Sequence, residues 1–254
     1  MTSMTSSPRL PPELEYAIFL FAYQEDRKEA KNLALVSRRV FEWLIPHIFH
    51  IVILAGNRSI PIQFNETVYG KYGHHVRHLF LQSSGARKHL DMFPNVVNLA
   101  FWIAYEPIHL PPLLRLPLTR IATSSLNLFQ VIANLKLTHL DLASTFGSNA
   151  TDIKAALYLP QLTHLCVLDI LSTSSLALFL ERERCPELRV VISWWYGDSH
   201  KPVLGMLDED HEQMNDSRLV AIRCNSRRDW EMGARGGVDM WKFAESVISS
   251  RNAP

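Results

Sequence analysis

The chain has 254 residues, 47% of them hydrophobic and 20% charged, and its 26 Lys and Arg against 25 Asp and Glu leave a formal net charge of +1. That profile belongs to a well-packed protein of one or two domains, with no surplus positive field to track a nucleic-acid backbone or an anionic membrane. Three dispersed cysteines (Cys166, Cys185, Cys224) suit neither a disulfide framework nor a two-pair zinc site, and without a secretory signal or an apolar run of roughly 18 residues the expected setting is cytoplasm or nucleus.

Residues 1–9 are rich in Ser and Thr and read as a disordered start. From 10 to 54 the pattern is helical. Leu14, Ala17, Ile18 and Phe21 recur at helical spacing behind Leu10-Pro11-Pro12-Glu13, which puts proline in the first turn and an acid at the positive helix end. A charged turn over 24–28 precedes a second stripe, Ala30, Leu33 and Val36. A third follows, Val40, Trp43, Leu44 and Ile48, with Ser37 as the N-cap between them and Pro46 closing the helix. Residues 48–54 form a β-rich run, and 55–75 a linker.

Between residues 76 and 224 the pattern apolar-x-x-apolar-x-(apolar or small) occurs seven times, with middle positions Leu79, Leu99, Ile121, Leu140, Leu165, Val191 and Ile222. These are spaced by 20, 22, 19, 25, 26 and 31 residues, close to the period of about 20–29 of a leucine-rich repeat. Leu-Thr-His-Leu occurs at both 137–140 and 162–165, and Pro94, Pro160 and Pro186 each sit shortly before a strand, where proline ends a helix without costing a ladder hydrogen bond. Short helices fit between strands, most clearly over 174–184. The spacing therefore predicts an α/β fold, a helical module followed by a short, irregular solenoid over 76–226 with a polar insertion at 197–217. Stacking would bury the leucine face that no single repeat can bury alone. Gly233, Gly236 and Gly237 turn the chain into a last helix over 238–250, within a segment, 227–254, expected to cap the solenoid's open end.

At this point the chain resembles an F-box protein of the fungal leucine-rich-repeat type. Leu10-Pro11-Pro12-Glu13-Leu14 with Ile18 is similar to the F-box opening, Leu33-Ala34-Leu35-Val36-Ser37-Arg38 to its second motif, and Phe41, Trp43 and Leu44 to its third-helix positions. The run from Pro46 through Phe49 to Leu54 looks like the strand joining an F-box to its repeats. Glu15, in place of an aliphatic residue, and a charged stretch over 22–31 depart from the pattern. The resemblance implies docking on a Skp-family linker protein, and through it on a cullin-RING ubiquitin ligase, by Leu10, Pro11, Leu14, Ile18, Leu33, Leu35, Val36, Trp43 and Leu44. The repeats would hold a protein substrate.

In an apolar-x-x-apolar-x-apolar strand the residues beside the middle one point away from the leucine face. His78, Phe80, Asn98, Asp141, Val190, Ile192 and Arg223 then share an exposed concave strip with Trp102, Arg120, His139, His164 and Trp194. Those last five, combining hot-spot residue types with a histidine pair, form the expected substrate surface. Catalysis, metal and cofactor are not expected. Gly197-Asp198-Ser199 and Asp208 with His211 imitate a GDS-type esterase, but serine and histidine elements only 12 residues apart (211 − 199) do not match that layout. His74, His75 and His78 lack a nearby Cys, Asp or Glu at ligand spacing, and no glycine motif cradles a phosphate. A repeat scaffold without a ligase role is the alternative reading.

Overall fold

The computed structural model describes residues 10–54, 65–82, 89–101, 110–123, 132–142, 158–168, 180, 183–196, 205–206, 216–224 and 226–251. Helices are α1 (Pro12–Glu25), α2 (Ala30–Ala34), α3 (Arg38–Ile48), α4 (Glu66–Tyr72), α5 (Leu110–Arg115), α6 (Ser226–Ala234) and α7 (Met240–Arg251). Strands are β1 (Ile51–Leu54), β2 (His78–Leu81), β3 (Asn98–Phe101), β4 (Arg120–Thr123), β5 (His139–Leu142), β6 (His164–Leu168), β7 (Val190–Tyr196), β8 (Gly205–Met206) and β9 (Leu219–Cys224). They form one open α/β sheet in the order β1-β2-β3-β4-β5-β6-β7-β9-β8; all strands are parallel to their neighbours except β8, which runs antiparallel to β9.

The sheet forms because one row of apolar side chains stays in step from strand to strand. Leu79, Leu99, Ile121, Leu140, Leu165 and Val191 pair successively, as their spacing predicts, and all are buried. Each such side chain contributes roughly 1.5–3 kcal/mol by leaving water. Val76, Val96, Leu118, Leu137, Leu162 and Leu188, three positions earlier in each unit, join the same core together with Phe93, Leu113 and Ile132. The last strand departs from expectation. Val191 pairs with Leu219, 28 residues on (219 − 191), and Ile222 turns to the opposite face beside Trp194. Leu219 and Ala221 on one face of β9 and Val220 and Ile222 on the other are all buried, so alternation over this stretch does not signal which side faces which layer.

The opposite sheet face is covered, contrary to the exposed concave strip expected there. Helix α6 packs Trp230 edge-on against Phe80, with ring centroids 5.3 Å apart, above Ala100 and Ala122. Helix α7 sets Met240, Trp241 and Ala244 on Cys166, Val190, Ile192, Trp194, Val220 and Ile222. The C-terminal segment therefore lies across the sheet instead of only closing its end. Local chemistry turns it there: Gly236 takes a positive φ of 82°, its N–H bonds to the Gly233 carbonyl, and the Gly237 N–H reaches the Met232 carbonyl, a glycine-dependent helix stop. Asp239 then caps α7 by accepting from the Lys242 N–H at 3.0 Å.

The helical module adjoins the β1 edge. Pro12 opens α1, and the Ser37 hydroxyl accepts from the Val40 N–H at 3.2 Å to start α3, as the sequence predicts. Pro46 does not close α3, which runs on to Ile48; a proline in the last turn forfeits one hydrogen bond of a helix already formed upstream. The stretch expected as a plain linker contains α4, started by the Asn65 side chain, which accepts from the Val68 N–H. Tyr69 of α4 lies edge-on to Phe49 and Phe93, and Tyr72 packs on Phe41 and Phe49, which fastens the module to the sheet. Gly73 permits this junction, since a Cβ there would stand 2.1 Å from the Met92 carbonyl oxygen. Most of the helix expected over 174–184, and most of the insertion at 197–217, lie outside the described residues.

Candidate functional site

Two features bear on function: a polar row sealed under the C-terminal helices, and an apolar helix face left open. The row is formed by the first residues of consecutive strands, His78, Asn98, Arg120, His139 and His164, paired in that order. Each is met from above or beside. Trp230 donates its indole N–H to Asn98 Oδ1 at 3.0 Å, and Asn98 Nδ2 lies 3.2 Å from His78 Nδ1. Arg120 stands 3.8 Å from Asp239. His139 and His164 stack at 4.1 Å with nearly parallel rings, and Trp241 sits edge-on to both. His164 Nε2 lies 3.0 Å from a Glu245 carboxylate oxygen, and its Nδ1 lies 2.7 Å from the Thr163 hydroxyl, which donates to the Thr138 carbonyl at 3.0 Å. The repeated Leu-Thr-His-Leu thus builds a packed imidazole pair.

The expected substrate surface is corrected accordingly. Trp194 is fully buried, His164 is buried, and His139 and Arg120 are half-buried. Trp102 lies outside the described residues. His164→Ala, removing a buried, hydrogen-bonded ring, will therefore destabilise the protein more than substitution of a solvent-facing histidine would. Between sheet and helices remains a cleft of about 30 Å³, room for a single water, lined by Asn98, Arg120, His139, Asp141, Asp229 and Asp239 among others. Among the described residues no group of three or more His, Cys, Asp or Glu could hold a metal ion, and no helix is long and apolar enough to cross a membrane.

Burial governs the ionisation of this layer. It pushes Asp229 up to about 8, aided by the nearby Asp239 and Asp141 charges and opposed by the Met240 N–H that Asp229 accepts. It pushes Asp141 up to about 7, opposed by the adjacent Cys166 and Trp194 side chains. Burial, with Arg120 and a neighbouring imidazole, drives His139 down to about 2 and His78 to about 4. His164 is also lowered by burial, although Glu245 pulls the other way. Depressed histidines add stability as pH rises toward 6.5, whereas raised aspartates lose stability as pH climbs from 3.8 through their folded values. Above pH 7.5, where an unfolded-state imidazole is almost wholly neutral, Asp229 and Asp141 are the groups of this layer that still shift the balance. Stability should therefore fall by up to about 1 kcal/mol between pH 7.5 and 9, at about 1.4 kcal/mol per proton and pH unit, then level off. Asp229→Asn keeps the Oδ1 acceptor but not the charge; urea melts across this window should show a shallower decline. An unchanged slope in the variant would remove Asp229 as its source.

The second feature is α1, none of whose residues is buried. It packs on α3 through its polar and aromatic side. Glu15 pairs with Arg39, Tyr16 lies edge-on to Trp43 and reaches His47, and the Tyr23 hydroxyl donates to the His47 carbonyl at 2.8 Å. Arg39 in turn sits 5.1 Å above the Trp43 ring. The departure from the F-box pattern at Glu15 is thus an internal tie. What α1 turns outward is its aliphatic stripe, with Leu14 54%, Ile18 53% and Phe21 63% exposed. Leu10 and Pro11 are exposed before it, and Leu35, 82% exposed, and Val36 stand open between α2 and α3. Of the other expected docking residues, Leu33 and Trp43 are half-buried. Leu44 is fully buried in the module's own core with Val40 and Ile45, so it is not a docking residue. Phe21, which the resemblance did not single out, belongs with the open stripe. No family model and no curated protein matches the chain.

Proposed function

We propose that this chain is a non-catalytic adaptor of the F-box type, whose helical module docks on a Skp-family linker protein and so on a cullin-RING ubiquitin ligase, and whose leucine-rich-repeat body carries a protein substrate. The observation that carries the reading is α1, which packs inward through Glu15, Tyr16 and Tyr23 and offers Leu14, Ile18 and Phe21 to the outside. With Phe19, Leu20 and Tyr23 half-buried on its inward side, the helix still leaves a second apolar stripe open, which is the signature of a partner surface. The docking residues on this reading are Leu10, Pro11, Leu14, Ile18, Phe21, Leu35 and Val36, joined at their edge by Leu33 and Trp43.

The in-step leucine row supports the repeat half of the proposal. With Leu219 as its last member every interval lies within one residue of the expected period, where Ile222 had stood outside it. Substrate recognition on this reading uses surfaces other than the sheet face beneath α6 and α7. The test is direct mixing of the full chain with a purified Skp-family linker. Co-elution as a stable complex is the expected result, and separate elution at micromolar concentration contradicts it.

A further inference from the structure

The two C-terminal helices are seated on the sheet differently. Helix α7 sets Met240, Trp241 and Ala244 on the buried apolar side chains of β6, β7 and β9. Helix α6 has a narrower seat: half-buried Trp230 rests on Phe80, Ala100 and Ala122 and donates its indole N–H to Asn98, while Arg227, Arg228 and Met232 of the same helix are exposed. Because much of that seat is alanine, lifting α6 uncovers far less apolar area than lifting α7 would. Gly236, in the left-handed region at φ 82°, and Gly237 join the helices. The Lys242 ammonium donates to both of their carbonyls at 2.9 Å, which ties the joint to α7 and leaves α6 as the part that can swing.

Between α6 and the sheet, the cleft of about 30 Å³ gathers Asp229 of α6, Asp239 of the joint and Asp141 of β5. Arg120 of β4 stands 3.8 Å from Asp239, and the uncharged His139 of β5 completes the titratable lining. Gly233 lets Asp239 approach, since a Cβ there would lie 2.3 Å from its Oδ2. A buried carboxylate needs hydrogen-bond donors or water on its oxygens to carry a charge, and Asp229 accepts the Met240 N–H in a cleft with room for about one water. Closed, Asp229 therefore keeps its proton up to about pH 8, and lifted into water it releases that proton near 3.8.

We infer that α6 is a releasable strap: loss of the Asp229 proton lifts it off β2, β3 and β4 about Gly236, while α7 stays seated. Between the lifted and closed values of Asp229, each pH unit favours lifting about tenfold. His78 works against this. It faces Trp230 from β2, is held down to about 4 by burial with His50 and Arg120 beside it, and regains a proton below 6.5 once exposed. The two trends cancel between about pH 4 and 6.5, and by about pH 7.5 an exposed imidazole is almost wholly neutral. From there the strap loosens as the carboxyl ionises, uncovering Phe80, Ala100 and Ala122 beside the His78 end of the polar row. His139 and His164 stay under Trp241 of α7. The inference is independent of the adaptor reading, since it invokes no linker and no ligase.

Hydrogen exchange of the full chain, read by mass spectrometry with the intrinsic pH dependence of amide exchange divided out, tests the strap by comparing α6 with α7. In neutral solution the α6 amides should open about tenfold or more as often as those of α7, and with a weaker urea dependence, because a lifted strap exposes less surface than the unfolded chain. From pH 7.5 to 9 opening at α6 should rise about fourfold, and in Asp229→Asn, which keeps the Oδ1 acceptor without the charge, less than about twofold. The comparison of the two helices in the unaltered chain needs no variant. Equal protection and equal urea dependence of α6 and α7 would show that they leave the sheet only together, and would overturn the strap. A flat pH profile in the unaltered chain, or a rise of the same size in Asp229→Asn, would overturn the carboxyl as its trigger.

Discussion

Trp194→Ala is expected to cost about 3–5 kcal/mol of folding stability, the largest effect of any single substitution considered for this chain. Trp194 is the largest of the fully buried side chains and lies where β7, β9 and α7 meet, packed with Ile192, Val220, Ile222 and Trp241. Removing the indole opens a cavity that parallel strands on one side and a capped helix on the other cannot readily fill. It also removes a side chain that favours the ionised form of Asp141, already pushed up to about 7 by burial, and so raises the cost of ionising that group. Urea denaturation of the variant reads this loss. A change below about 1 kcal/mol would mean that Trp194 stands on an exposed strip and that α7 does not seal the face.

That strip shows where sequence reasoning succeeds and where it stops. The recurring apolar-x-x-apolar-x-apolar pattern located β2 to β7 and the row from Leu79 to Val191, because those residues pair with neighbours of the same kind at intervals of 19 to 26 residues. The alternate positions, His78, Asn98, Arg120, His139 and His164, looked like a solvated face because they are polar. Their partners come from remote chain. Trp230 bonds Asn98 across 132 residues and Glu245 bonds His164 across 81, with no local pattern announcing either pairing. The echo of Leu-Thr-His-Leu was legible as a repeat, but the stacked pair it makes under Trp241 was not. Helix starts were legible for the opposite reason: Ser37 and Pro12 act within one turn. The stripe on α1 was equally visible, yet periodicity cannot say whether an apolar face meets its own core or another protein. Here Glu15, Tyr16 and Tyr23 take the inward side and settle which face remains open.

Leu14→Asp should abolish linker binding while leaving the chain folded. In the free protein Leu14 is more than half exposed, so a carboxylate there stays hydrated and should alter stability by no more than about 0.5 kcal/mol. In a complex that covers the stripe, the same carboxylate loses its water without gaining a partner, at a cost of several kcal/mol. Leu44→Ala supplies the contrast: fully buried, it should lower stability by about 2–5 kcal/mol and affect docking only through unfolding. The decisive measurement is a titration of purified Skp-family linker against the unaltered chain and Leu14→Asp, with thermal melts of both. A loss of affinity of at least about 100-fold, equivalent to about 2.7 kcal/mol, with an unchanged melting temperature, is the expected result. Equal affinity of the two proteins would contradict the assignment of α1 as the docking surface.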